Sequence, residues 1–470
     1  MSALKHAMNF FSVNGMIKSS LVSGELPSST SVYKKFFDVA WPSALESLLV
    51  GLIGSVDTIM VGTIGEEAIA AVGITSQPKF ILLAMIFSLN VGITAIVARR
   101  KGQNDRAGAN HTLRVGIMLS ATISFIMSII GYTFAKPILI FAGAEASYLT
   151  DAINYFRILM ISIFFTSVNI TVNAAWRGSG KTKISMYTNI ISNVVNIIFN
   201  YLLINGIAFF PKLGVKGAAI ATSLGAIVAC FVSISSLFRS DTFLSLRLKS
   251  SWKIHKNIIN PIFKVSGSAF VEQVFMRIGF LAYAIIVTNL GTTPYATHVI
   301  CMNILNLSFC FGDGFSIAAS SLVGQSLGAK RPDMAIIYGK AGQRLSFLVS
   351  TILFMIFISG RNSLVSLFSQ KPEIIALGAG IMVIIAFTTH AQTSQVVISG
   401  CLRGAGDTVF VAITSLISVA IIRPILTYVL CFPLSLGLYG AWIALFFDQI
   451  FRLTLNFLRF SNGKWTKIAL

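Results

Sequence analysis

Along this chain the apolar residues gather into runs of about 20, the length that carries a helix across the roughly 30 Å hydrocarbon core of a bilayer. Such runs recur about twelve times, centred near Leu48, Met85, Ile126, Ile163, Val195, Val228, Leu281, Phe309, Leu353, Ile385, Ile417 and Leu445. The polar positions between them form short gaps, except for Arg239–Lys264, a stretch rich in Ser and Lys just past the midpoint. The pattern predicts an all-α integral membrane protein of about twelve transmembrane helices. The division it suggests is an N-terminal tail (1–36), a first six-helix lobe (37–238), a linker (239–261), a second six-helix lobe (262–460) and a C-terminal tail (461–470). Residues 1–36 are polar and mixed, with an amphipathic piece at Met8–Ile17. They lack the short apolar core and small-residue cleavage site of a secretory signal.

The charge in the gaps alternates. One set of gaps holds about 27 Lys and Arg and the other only 6. The positive-inside rule makes the first set cytoplasmic. Both termini then lie inside, as an even number of spans requires, so charge parity supports twelve spans independently of hydropathy. Composition agrees: 55% of residues are hydrophobic, only 11% are charged, and mean hydropathy is +0.81. A soluble domain carries about 25% charged residues. The net charge of +20 therefore reads as topology. No basic patch interleaved with aromatics points to nucleic acid.

The two halves repeat. Glu46 and Glu272, Gly65 and Gly291, Gly102 and Gly328, and Arg177 and Arg403 are each 226 positions apart by subtraction. Late in each half, Leu213-Gly-Val-Lys-Gly-Ala matches Leu436-Gly-Leu-Tyr-Gly-Ala at a slightly different offset. Six spans is an even number, so the halves share one orientation and form a parallel repeat. Transporters built this way place their site between the repeats and rock them to alternate access.

Charged groups inside the apolar runs mark candidate chemistry. One costs roughly 2.5–3.5 kcal/mol at the bilayer centre even on lenient scales, so it survives where it faces protein or water. Glu272 and Arg277 lie in the seventh run, five positions apart, too far round a helix for a tight pair. Asp57 lies in the first run and reads as a cavity-facing ligand for a proton or cation, against a snorkelling acid near a helix end. Glu46, eleven residues earlier, has Ser or Lys groups as possible partners. Asn196 and Asn200, with Asn189 and Asn193, share one face of the fifth run. That stripe suits either interhelical hydrogen bonds or a wet cavity binding a cation. Asp313 sits between Gly312 and Gly314, consistent with an opened helix or with a structural hydrogen bond. Asp448 and Arg452 read as a structural pair at i,i+4. Arg157 and Arg423 each need a carbonyl or acidic partner that the sequence does not name.

Several classes drop out. The five cysteines form no CxxC pair, so no zinc site or disulfide framework is indicated. The histidines form no H-E-x-x-H. Arg177-Gly-Ser-Gly and Arg403-Gly-Ala-Gly lack the Gly-Lys-Ser/Thr of a nucleotide loop and read as tight cytoplasmic turns, with each Arg holding the inner face. No enzyme and no cofactor is expected, and energy would come from an ion gradient.

The chain resembles the multidrug and toxic compound extrusion family, from Ala40 to Trp465. The resemblance rests on Val56-Asp-Thr-Ile-Met-Val-Gly62, Ala175-Trp-Arg-Gly-Ser-Gly180, Leu322-Val-Gly-Gln-Ser-Leu-Gly-Ala329, Leu402-Arg-Gly-Ala-Gly406 and Arg459-Phe-Ser-Asn-Gly-Lys-Trp465, together with the duplicated layout. It implies a secondary antiporter that exports amphipathic or cationic organic compounds in exchange for H⁺ or Na⁺. Asp57 matches the first-span Asp used in cation coupling. Glu272 matches the seventh-span Glu of the NorM-type branch, and Asn196 and Asn200 match the fifth-span polar pair. The tenth-span Asp of that branch falls here on Gln392, which leaves the second lobe one acid short. The resulting expectation is cation coupling at Asp57 and Glu272, with Na⁺ a candidate at Asp57, Asn196 and Asn200. Asn196, Asn200, Gln392, Asp313 and Arg277 would line the substrate or cation cavity. Expected partners are small organic substrates and membrane lipids, with no nucleic acid, in a monomer at the cell membrane. The alternative is a lipid or lipid-linked glycan flippase of similar plan, which a cationic cavity built from Arg157, Arg277 and Arg423 would favour.

Overall fold

The computed structural model describes residues 11–207, 210–238, 242–246, 252–253 and 255–468. Among the described residues twelve helices are long and apolar enough to cross a membrane. They are α1 (Ser29–Gly62), α2 (Glu66–Gly102), α3 (Arg106–Thr133), α4 (Leu149–Gly178), α5 (Thr182–Asn205), α6 (Gly214–Phe238), α7 (Lys256–Thr288), α8 (Thr292–Gly328), α9 (Pro332–Ser359), α10 (Pro372–Ala405), α11 (Thr408–Cys431) and α12 (Gly437–Ser461). Helix α11 changes to a π-helical segment at Leu416–Ile422. Among the described residues every regular element is helical. Within the amphipathic piece expected at Met8–Ile17, residues 8–10 lie outside the described part. Residues 13–15 form a 3₁₀ turn, and Val13 and Met16 are buried.

The duplication is visible in the backbone. Left-handed φ recurs at Asn104 (56°) and Lys330 (58°), which end α2 and α8 at the 226-residue spacing. It recurs again at Gly180 (82°) and Gly406 (90°). Helix ends follow ordinary capping chemistry. The Asp105 side chain accepts from the Gly108 N–H at 2.8 Å and so caps α3, and Pro332 and Pro372 open α9 and α10 at the first turn, where no N–H is needed.

Close packing divides the chain into two compact units. The N-unit is Glu46–Phe270, and the C-unit joins Met1–Leu45 to Val271–Leu470. The division falls inside α1 and α7, and local packing explains why. The Ala44 backbone lies where a Cβ on Gly314 of α8 would sit, at 2.5 Å, so the first half of α1 is pressed onto the C-unit. Ser266 and the Ile262 carbonyl of α7 press on Gly92 of α2 in the same way within the N-unit.

Lipid is as apolar as leucine, so association between helices in a bilayer depends on close packing of small residues. The Arg-Gly-x-Gly motifs supply this. A Cβ on Gly178 would stand 2.6 Å from the Thr94 carbonyl oxygen, and one on Gly404 would stand 2.1 Å from that of Ser320. Thr94 and Ser320 are again 226 apart, so α4 on α2 and α10 on α8 are one contact made twice. The described part of the linker is pinned to the start of α3. Arg106 donates to the carbonyls of Thr242 and Phe243, and the Ser245 N–H donates to Asn110 at 2.7 Å.

Candidate functional site

In the N-unit the acids of α1 meet the amide stripe of α5. Glu46 and Asp57 are eleven residues apart, as are Asn189 and Asn200, so the two helices run in register. Asn200 donates to Asp57 Oδ1 at 2.6 Å and to Asn196 Oδ1 at 3.3 Å. Asn196 donates to Thr222 Oγ1 on α6 at 3.1 Å, and Thr222 in turn donates to the Ala218 carbonyl at 3.0 Å. Asn200 and Asn196 are buried, and Asp57 is half-buried. The amide stripe therefore makes interhelical hydrogen bonds. One acceptor is left over: Asn200 Oδ1 is buried with no hydrogen-bond partner among the described residues. Asp57, Asn196, Asn200 and Thr222 thus converge as a cluster of hard oxygen donors.

At the other end of the same register, Glu46 is buried and saturated. Its Oε1 accepts from Arg177 Nη1 at 3.2 Å, Ser185 at 3.0 Å and Asn189 at 2.6 Å, and its Oε2 accepts from Ser185 at 2.9 Å. Sequence reasoning gave Arg177 only a turn. The structure gives it a carboxylate, and the signal was available, because Glu46 and Arg177 repeat with the same offset as Glu272 and Arg403.

The C-unit repeats this latch. Glu272 is 2% exposed and accepts from Arg403 and, at 3.3 Å, from Ser415, the counterpart of Asn189. Asp313 has an exposed side chain in the field of Arg403. Helix α8 runs unbroken through Gly312 and Gly314, so neither opens the helix; Gly314 serves close packing against Ala44, whereas Gly312 makes only ordinary contacts at 3.7 Å and beyond. Gln392 is fully buried, with Oε1 accepting from Ser308 of α8. Arg277 is half-buried on α7. The pair Asp448–Arg452 forms as expected, and Asp448 is also the partner that Arg423 needed. Arg157 finds its carbonyl at Tyr132, with Nε 3.3 Å away, and lies over that ring. Asp57, Asn196 and Asn200 are therefore brought together in the N-unit, whereas Glu272, Gln392, Asp313 and Arg277 all belong to the C-unit.

Comparison with known proteins rests on this duplicated arrangement. The family described as MatE matches residues 42–202 and again 268–429, two stretches that begin 226 positions apart. The chain belongs to the MatE family. Members of this family are transporters and not enzymes, and the chain is a multi-pass membrane transporter. It is 27% identical over 456 residues to the probable multidrug resistance protein NorM of Thermotoga maritima, covering 97% of each chain. It is 26% identical over 434 residues to the uncharacterized transporter YisQ of Bacillus subtilis, covering 91% of this chain and 94% of YisQ. In fold it is similar to an outward-facing multidrug resistance MATE family transporter, with a TM-score of 0.86, 21% identity, and 92% and 97% of the two chains covered. It is equally similar to a MOP superfamily transporter from Pyrococcus furiosus whose binding pocket is described as having reverse polarity, with a TM-score of 0.86, 20% identity, and 93% and 97% covered.

Proposed function

We propose that this MatE transporter is a multidrug efflux antiporter that exports amphipathic or cationic organic compounds in exchange for H⁺ or Na⁺. The observation that carries the reading is the Asp57 cluster. A carboxylate inside a span, held by Asn200, adjoins a buried Asn200 oxygen that has no partner among the described residues. Hard oxygen donors of this kind suit a small hard cation, and a carboxylate can instead take a proton. Asp57, Asn196 and Asn200 would hold the coupling cation. The relatives described as multidrug resistance proteins support the substrate class.

Cation binding at the cluster would lower affinity for drug in the same conformation, and drug binding would lower affinity for the cation by the same factor, because linkage is reciprocal. Glu272 is the second candidate coupling acid. Among the described residues Arg403 and Ser415 are hydrogen-bonded to its Oε1, whereas Glu46 accepts from three side chains. The face bearing Arg177, Arg403 and the basic loops is the cytoplasmic one in this reading, with both termini inside.

The test is efflux of a fluorescent cation from proteoliposomes under an imposed proton gradient and, separately, a Na⁺ gradient. Efflux under one gradient, lost in Asp57→Asn, supports the reading and names the ion. Efflux under neither gradient removes it and brings forward transport of an anionic lipid headgroup. One of the arginines that would make a cavity cationic, Arg157, already holds the Tyr132 carbonyl, which argues against that second reading.

A further inference from the structure

The two units follow one plan, so their differences are informative. Asp57 of the N-unit corresponds, 226 positions on, to Tyr283, and Asn196 and Asn200 correspond to Ile422 and Leu426. In the last span of each half the offset is 223, and Gly225 corresponds to Asp448. The hydrogen bonds repeat across this change. Ser192 donates to the Gly225 carbonyl at 2.9 Å, and its counterpart Ser418 donates to both the carbonyl and the carboxylate of Asp448. The C-unit has thus lost the carboxylate–amide cluster and has gained a charged set built on Asp448.

That set is unbalanced. Asp448 is 0%, Arg423 1% and Arg452 6% exposed. Both guanidinium groups draw on the same oxygen, Asp448 Oδ2. The next acid, Glu272, acts on Arg452 through space but is itself paired with Arg403. Within this buried set two arginines therefore share one carboxylate, while Glu272 and Asp313 both face the partly exposed Arg403, and one positive charge is left over beside Asp448. A buried charge without a counter-charge is strongly disfavoured.

The surplus has a location. Arg423 Nε and Nη1 and Arg452 Nε are buried donors with no hydrogen-bond partner among the described residues. The Arg423 guanidinium lies 5.0 Å from the Phe280 ring centroid and 5.9 Å from that of Tyr283. The Tyr283 hydroxyl is already committed, donating to the Ala441 carbonyl at 3.2 Å. The π-helical segment Leu416–Ile422 ends directly before Arg423. Such a segment widens the helix and shifts the residues that follow it, and π-bulges are frequent at functional sites.

We infer that the C-unit holds a small-anion site of the chloride class, bound through the Arg423 and Arg452 donors that Asp448 leaves free. The anion neutralises the surplus charge. The burial of all three charged side chains selects a monatomic anion over an organic carboxylate. The N-unit would then bind a cation where the C-unit binds an anion, at equivalent places in one duplicated plan. This inference does not depend on drug efflux, and its test does not use efflux as a readout.

The test uses the purified full-length protein in detergent at fixed ionic strength, with chloride exchanged for gluconate. Equilibrium binding of radioactive chloride should be saturable, and the melting temperature should rise with chloride and level off. Acetate at the same concentrations should fail to displace chloride. Arg423→Gln should weaken chloride binding by about tenfold or more, whereas Arg157→Gln, which alters an arginine of the N-unit, should leave it unchanged. Should Arg423→Gln fail to fold, Arg423→Lys keeps the charge with fewer donors and should weaken chloride binding in a folded protein. Non-saturable binding by the unmodified protein, displacement by acetate, or unchanged affinity in the folded Arg423 variant would each overturn the inference.

Discussion

At the scale of the residue, the two acids of α1 have different neighbours and should behave differently. Asp57 is half-buried and hydrogen-bonded to one amide, so Asp57→Asn keeps a side chain of the same shape that can still accept from Asn200. Its stability in SDS titration should match the parent within about 0.5 kcal/mol, as for substitutions that break no network, while gradient-driven efflux is lost. Retained efflux would remove Asp57 from coupling. Glu46 is the reverse case. It accepts from Arg177, Ser185 and Asn189, so Glu46→Gln leaves Arg177 without its counter-charge. A lost charged hydrogen-bond network of this kind costs about 2 kcal/mol, and the same SDS titration should show it. An unchanged midpoint would mean that Glu46 does not brace α1 against α4 and α5. Asp57, Asn196 and Asn200 were legible as candidates because polar groups in an apolar run stand out and helical spacing puts the amides on one face. The Glu46–Arg177 contact has no local signal, since the two residues are 131 positions apart, and only the duplication of both residues at one offset hinted at it.

At the scale of the element, the Arg-Gly-x-Gly motif resolves into three separate duties. The Arg holds a glutamate, the first Gly lets two helices touch, and the last Gly takes the left-handed turn that ends the helix or follows it. Gly404→Ala would place a methyl 2.1 Å from the Ser320 carbonyl oxygen. Overpacking against backbone costs about 1–3 kcal/mol, so this variant should unfold at lower SDS than the parent. Gly267→Ala in α7 meets nothing within 4 Å and should be neutral or slightly stabilising. Equal midpoints for the two variants would count against close packing at α8–α10. The sequence marked these glycines as tight cytoplasmic turns. Half of that reading belongs to Gly180 and Gly406, whose φ is positive, while Gly178 and Gly404 are packing residues inside the α4 and α10 helices.

At the scale of the whole molecule, span number and orientation come from different physics. Twelve spans follow from length and apolarity, and the expected orientation, with both termini inside, follows from loop charge. Orientation is checked in intact cells with a membrane-impermeant maleimide. Glu145→Cys, beyond α3, should label, and Asn462→Cys, after α12, should label only once the cells are opened. The reverse pattern would invert the transporter and exchange its cytoplasmic and external ends. Of the native cysteines, Cys230, Cys301, Cys401 and Cys431 are buried, which keeps the background low.

The sequence by itself determined the class, the count of spans, the duplication and the polar residues worth watching. These depend on composition, on run length and on spacing along one chain, and each is local or periodic. Only the tertiary structure decided which acid meets which base: Glu46 with Arg177, Glu272 with Arg403, and Asp448 with both Arg423 and Arg452. It also decided that the compact units divide within α1 and α7, where the backbone of Ala44 and the side chain of Ser266 each press against a glycine. The physical reason is the same in both cases. Within lipid, helix partners are chosen by fit and by matched charge between residues far apart in the chain, and hydropathy is blind to both.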